Sequence, residues 1–394
     1  MECANKLIIR ENKQNKEIVK SILSDLIDSN WEWEQSGKVI SVKPPLQYSK
    51  DVIKQSMNNK RREMIYSSHE WIDKHSELLK DHLTTGEQAY NSSIEPYIEI
   101  CTTRVQHSLF RVCRYYWSSP YSDYVGRRIK LLIRDRAVKN YPIIGIAAIG
   151  SPIIHMPERD EWVGWDKAKR TENIILCMDA YVLGAMPPYN MLLGGKLIAY
   201  ILASNEVREI YKDKYDGKVT NISKRVSSDL VCLFTTSLYG RSSQYNRISY
   251  EGKILYNEIG KTKGYGTLHL SNKTFNLMQR FLEEEGIAIS NKFGNGPNWR
   301  MRVIRTVCQL LGLDSDLLLK HSFKRNIYFV PLAENCKNVL HGNEDEPAYY
   351  DYPFEALVNH WKARWLEKRK VSLKESNMMN ELISFNPKRF DLFD

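Results

Sequence analysis

Between residues 187 and 197 the chain reads Pro-Pro-Tyr-Asn-Met-Leu-Leu-Gly-Gly-Lys-Leu. An apolar run at 177–183 precedes this segment and a helical pattern at 192–203 follows it, so the two glycines fall where a helix starts after a strand and a turn. Open backbone N–H groups at such a start bind anions, and glycine lets a phosphate come close. Lys196 adds charge. Asn190, Leu192, Leu193, Gly194, Gly195 and Lys196 are therefore candidate residues for holding an anionic cofactor. The spacing is neither that of the P-loop nor that of the dinucleotide fingerprint. Close packing of the helix on its sheet through Gly194 and Gly195 is the other use of the same residues.

Two further motifs flank this one. The first is Arg159-Asp160-Glu161-Trp162-Val163-Gly164-Trp165 with Arg170 and Asn173. The second runs from Thr235 through Ser237, Gln244, Tyr245, Asn246 and Arg247 to the glycine-rich segment 260–266. Arg159, Arg170, Arg247 and Lys261 are candidates for a phosphate-binding face, arginine being the side chain best suited to bidentate phosphate contact. Salt bridges to Asp160, Glu161 or Glu258 would occupy the same side chains.

The chain has 394 residues, which suggests two or three domains. Its 57 Lys and Arg exceed its 47 Asp and Glu, and the resulting charge of +10 would attract phosphate backbones, with 23 Tyr and 9 Trp as surfaces for base stacking. The seven Cys occur singly and the nine His are scattered, so neither a disulfide framework nor a metal site is expected. No apolar stretch near the N-terminus reads as a signal peptide or membrane span; the expectation is a soluble, cytoplasmic protein.

These motifs need elements to position them. Residues 1–110 read as mainly helical. Segments 128–133 and 143–149 read as a strand pair, followed by a helix at 165–175, the strand at 177–183, the helix at 192–203, and strands at 230–236, 267–270 and 326–330. This order predicts an α/β core over 111–345, with a helical insertion at about 271–320. Within that insertion two helices around Gly312 have the outline of a helix-turn-helix or of a plain packing unit. Pro297 stands near the start of the first. A C-terminal part, 346–394, carries a helix at 354–370 with Phe354, Val358, Trp361 and Trp365 on one stripe and Lys362, Arg364, Lys368, Arg369 and Lys370 around it.

Taken together, the Val163-Gly164-Trp165 segment with Arg170 and Asn173, the strand–Pro turn–helix at 177–203, Tyr245-Asn246, the glycines of 260–266 and the strand ending in Pro331-Leu332 resemble the DruA family of Druantia anti-phage defence systems. The resemblance spans about residues 110–345. It implies a bacterial antiviral role in company with other Druantia subunits, including a large helicase-like protein. The 190–195 loop is also similar to the loop after the fourth strand of GNAT-type acyltransferases, which holds a coenzyme A pyrophosphate. The core is more remotely similar to the Mom DNA-modification family. These likenesses imply an α/β (α+β) fold with a GNAT-like mixed central sheet and helical additions at both ends. They also imply acyl-CoA as a candidate cofactor, bound where a slot opens between strands beside Asn190. The chain departs from the GNAT pattern, since 190–195 only approximates the acyltransferase loop signature.

Under a transferase reading, Tyr245 is the candidate general acid, in the segment where the related enzymes carry a tyrosine. Asp179 is the candidate base, and Ser237 the candidate for orienting a bound intermediate. Packing of Tyr245 and helix capping by Asp179 are their structural alternatives. Three functions thus stand side by side: a nucleic-acid-binding defence component, with DNA as the expected partner; a GNAT-like transferase; and a structural adaptor without catalysis.

Overall fold

The computed structural model describes residues 7–10, 16–45, 48–117, 126–220, 224–226, 228–289 and 299–392. The chain forms two compact units. One comprises Met1–Met64, Leu238–Gly240 and Thr262–Arg325; the other comprises Ile65–Ser237, Arg241–Lys261 and Asn326–Asp394.

The first unit contains a small antiparallel sheet in which β1 (Leu7–Arg10) and β2 (Glu32–Ser36) flank β3 (Val39–Lys43). Ile40 and Val42 of β3 point inward, as the two-residue period of a strand requires. The Lys16–Asp28 helix buries Ile18, Val19, Ile22 and Leu26 on one stripe. That stripe shares a core with Phe275, Met278 and Leu282 of the Asn272–Glu284 helix and with Val303, Ile304 and Val307 of the Trp299–Leu311 helix. The helical stretch after 271 is therefore built onto residues 7–42, whereas the sequence reading placed a boundary at 110. Residues 267–270, expected as a strand, form a turn in which His269 and Leu270 are buried. Gly312, at φ +65°, follows the Trp299–Leu311 helix. The next helix, Ser315–Leu319, has five residues, and Leu318 and Leu319 lie in the core. Pro297 falls outside the described residues.

The second unit is built on a seven-stranded mixed sheet. Its strands are β4 (Pro96–Ile100), β5 (Arg128–Asp135), β6 (Ile143–Gly150), β7 (Cys177–Ala185), β8 (Cys232–Ser237), β11 (Asn257–Lys261) and β12 (Asn326–Pro331). Two short strands, β9 (Ser249–Tyr250) and β10 (Lys253–Ile254), make a separate ribbon. The order across the large sheet is β11-β12-β8-β7-β6-β5-β4, confirming the mixed α/β class. Every neighbouring pair is antiparallel except β7 and β8. β6, Ile-Ile-Gly-Ile-Ala-Ala-Ile-Gly, is buried at every position, as a strand covered on both faces must be.

The parallel pair is short. β7 and β8 are in register only over Cys177–Asp179 and Cys232–Phe234, and their ladder ends there although both strands continue. Beyond the end of β7 the chain turns into the Gly194–Leu202 helix, which lies in the main core with Leu357, Val358 and Trp361 of the Phe354–Trp361 helix.

Gly194 makes that close approach feasible. A Cβ at this position would stand 2.7 Å from the Tyr189 carbonyl oxygen and 2.9 Å from the Ala185 Cβ. Both neighbours are fixed, one being backbone and the other a strand side chain. Gly194→Ala is therefore expected to destabilise the second unit by about 1–3 kcal/mol, the usual cost of overpacking. Urea unfolding would show a lowered midpoint with an unchanged slope; an unchanged midpoint would contradict this packing.

Candidate anion-binding site

The chain leaves β7 through Met186 and enters a 3-10 turn, Tyr189–Leu192. Leu193 then takes a left-handed conformation at φ +60°. Its carbonyl oxygen accepts the Lys196 backbone N–H at 2.9 Å and the Trp361 indole N–H at 3.2 Å. Trp361 is almost wholly buried, so its N–H needs a partner inside the protein, and the Leu193 carbonyl supplies it.

The helix after Trp361 does not continue regularly. Lys362–Leu366 form a π-helical turn before the helix resumes at Glu367–Lys374. Such turns are common at functional positions. Arg369 Nε donates to the Met191 carbonyl at 2.8 Å, and Trp365 Nε1 donates to the Tyr200 hydroxyl at 3.2 Å. These bonds fasten the C-terminal helix over the start of the Gly194–Leu202 helix. Between them lies a cleft of about 470 Å³ lined by Leu193, Arg247, Arg364, Trp365, Lys368 and Arg369.

Four cations thus surround one opening, and none of them takes part in an ion pair among the described residues. A fifth lies beneath. Lys196 is 7% exposed, sits 4.1 Å from the Trp365 ring centroid, and donates to the carbonyls of Ser243 and Asn246 at 2.5 and 3.0 Å. Burial, with the charges of Arg247 and Arg364, pushes its ammonium down to about 8. Five basic groups with no acidic residue in the lining repel one another, and an anion in the cleft would relieve that repulsion.

The other residues singled out from the sequence lie in different surroundings. Asn190 is exposed and donates from Nδ2 to the Tyr116 hydroxyl at 3.2 Å, while Leu192 is buried. Gly195 faces Gln244, whose Nε2 donates to the Leu183 carbonyl at 3.1 Å. Thr235 Oγ1 donates to the Ala180 carbonyl at 2.7 Å. The β7–β8 ladder ends at Asp179 and Phe234, and beyond it the side chains of Thr235 and Gln244 take the Ala180 and Leu183 carbonyls. Tyr245 is buried against Tyr256 in a parallel stack with centroids 5.2 Å apart, and burial pushes its phenol up to about 12. Asp179 is buried on β7, where Oδ2 accepts the Ile153 backbone N–H at 3.0 Å, and Ser237 is buried at the end of β8.

Arg159 and Arg170 meet one carboxylate. Arg159 is wholly buried and gives two bonds to Asp160 Oδ1 (3.0 and 2.6 Å) and others to the carbonyls of Ile153 and Ile154. Arg170 reaches Asp160 Oδ2 at 2.9 Å. The ion pairs weighed for these arginines are thus present through Asp160. Lys261 is exposed at the end of β11. Of the basic residues singled out for phosphate contact, the cleft contains Arg247 alone; Leu193 and Lys196 of the glycine loop join it. Among the described residues no group of three or more His, Cys, Asp or Glu could hold a metal ion, and no helix is long and apolar enough to cross a membrane.

A mixed α/β unit whose strand–turn–helix junction opens on a basic cleft defines the class of protein. Its family follows from comparison. Residues 47–342 match the family model described as Druantia protein DruA. A curated relative, the Druantia protein DruA of Escherichia coli (strain UMEA 4076-1), is 34% identical over 351 residues, which cover 88% of this chain and 84% of the relative. The chain belongs to the DruA family. No solved structure matches it.

Removing the carboxylate that Arg159 and Arg170 share would leave Arg159 buried without its counter-charge. Asp160→Ala is therefore expected to cost about 3–5 kcal/mol. Chemical denaturation checks it; a loss below about 1 kcal/mol, the range of an exposed pair, would show that the pair is solvent-screened.

Proposed function

We propose that this chain serves as the nucleic-acid-gripping component of a Druantia-type antiviral defence system, holding DNA phosphates in the cleft of Arg247, Arg364, Lys368 and Arg369. Other subunits, including a large helicase-like protein, act on the strand it holds. The observation that carries this reading is the set of four cations around one opening, none in an ion pair among the described residues, with Lys196 beneath them. Guanidinium groups suit phosphate oxygens in pairs, and Trp365 offers an aromatic edge beside them.

The test is DNA affinity as a function of salt. Each phosphate contact releases a counterion, so the logarithm of affinity falls linearly with the logarithm of salt. Arg364→Gln combined with Lys368→Gln is expected to weaken binding and to lower that slope by roughly 2, one per lost contact. Binding with no salt dependence, or an unchanged slope in the double variant, would remove this role from the cleft.

Lys196 adds a pH signature. Its pKa is about 8 in the free protein, and a bound phosphate would raise it. Binding then takes up a proton between the free and bound values, so affinity should fall as pH rises through about 8. Calorimetry in buffers of different ionisation heat would detect the proton, and Lys196→Met should abolish the uptake.

A second reading, a GNAT-like acyl-CoA-dependent transferase, draws on the divergence of β7 and β8 beside the glycine loop. In it Asn190 to Lys196 hold the pyrophosphate, Tyr245 is the acid, Asp179 the base, and Ser237 orients the intermediate. Gln244 and Thr235 would have to release the Leu183 and Ala180 carbonyls to admit the ligand. Calorimetric titration with acetyl-CoA separates the readings: saturable binding supports the transferase, and none leaves the nucleic-acid role.

A further inference from the structure

A second cavity lies within the first unit. It measures about 150 Å³ and is lined by Asp25, Asp28, Ser29, Ser56, Asn59, Lys60, Glu63, His269 and Ser271. A cavity of this size holds a ligand of about six heavy atoms. Ser56, Asn59, Lys60 and Glu63 come from one face of the Lys50–Ser67 helix, spaced three and four residues apart.

Much of the lining is already employed. Asp25 Oδ2 accepts the Ser271 N–H at 2.7 Å, and Glu63 accepts the N–H groups of Asn272 and Lys273 at the start of the Asn272–Glu284 helix. Two groups are not explained by that capping. His269 is 2% exposed, and neither of its ring nitrogens makes a hydrogen bond of normal geometry. Lys60 places its amine in the cavity, where Nζ donates to the Leu270 carbonyl at 3.1 Å. A neutral amine that gives one N–H in this way keeps its lone pair for a ligand.

We propose that this cavity takes a small carbonyl compound, an aldehyde or ketone, with which the Lys60 amine forms an imine. The nitrogen lone pair adds to the carbonyl carbon, and the carbonyl oxygen takes up the proton that the nitrogen loses. The hydroxyl then leaves as water with a second proton as the C=N bond forms. One water is released, no electron is exchanged, and hydrolysis reverses the step. Asp25 lines the same cavity and carries the protons, burial holding its carboxyl above the ordinary range. Burial likewise lowers the Lys60 amine to about 7, so a large fraction is nucleophilic near neutrality. Asp25 and Glu63 raise that value and Arg300 lowers it further; Asp28 and His269 complete the charged and titratable lining.

The test is reductive trapping on the full chain. The protein is incubated with propanal and cyanoborohydride at pH 7, digested, and read by mass spectrometry. Lys60 is expected to acquire the propyl label at least ~10-fold faster than exposed Lys54 on the same helix, because an ordinary lysine is almost wholly protonated there. The rate should saturate with propanal and fall to half near the Lys60 pKa of about 7 as pH is lowered. Comparing two lysines of one wild-type chain requires no variant to fold; Lys60→Arg then removes the fast label. Labelling no faster than at Lys54 overturns the proposal. So does fast labelling that never saturates, which would show a reactive amine without a site.

Discussion

The bond from the Trp361 indole to the Leu193 carbonyl holds the basic cleft together. It joins a left-handed residue at the start of one helix to a buried tryptophan at the end of another, and every residue lining the cleft except Arg247 belongs to one side or the other. The Arg369 bond to Met191 repeats the connection about two turns later. The two bonds fix the backbone from which Arg364, Lys368 and Arg369 extend into the cleft. Repulsion among five basic groups would otherwise spread them apart. The π-turn at Lys362–Leu366 keeps Trp361 directed into the core while Arg364 and Lys368 face the opening.

The same junction is where the sequence resembles the loop of acyl-transferring enzymes. A short parallel ladder between β7 and β8 leaves strand carbonyls without ladder partners, which an extended ligand could use. Here Thr235 and Gln244 satisfy the Ala180 and Leu183 carbonyls. Tyr245 is locked in a stack with Tyr256, and Gly195 faces Gln244. Gly194 packs closely on the Tyr189 carbonyl and Ala185, and the basic side chains of the neighbouring cleft come from the C-terminal helix, from Arg247 and from Lys196.

Much of the second unit could be read from the chain. The strands at 128–135, 143–150 and 177–185 are dense in β-branched and apolar residues, and the helix after Pro188 was visible from its glycines and its apolar face. β1 and β2 of the first unit's small sheet were not; β2, Glu-Trp-Glu-Gln-Ser, is exposed at every position and carries no burial pattern. β4 was hidden for a similar reason: as an edge strand it is mostly half-buried. Within the site, the sequence pointed to Leu193, Lys196 and Arg247 but could not join them to Arg364, Trp365, Lys368 and Arg369. The three basic residues were visible only as a helix fringe and Trp365 only as part of the apolar stripe, and no local pattern says that residue 361 reaches back across the fold to residue 193. Arg159 and Arg170 show the converse limit: an arginine beside an aspartate reads alike whether the pair is buried or open.

The most direct test of the account is lysine footprinting with and without DNA. Exposed Lys368 should be strongly protected from acetylation when DNA is bound, while exposed Lys167, outside the cleft, keeps its reactivity. Equal reactivity of Lys368 in the free and DNA-bound protein would contradict the central claim.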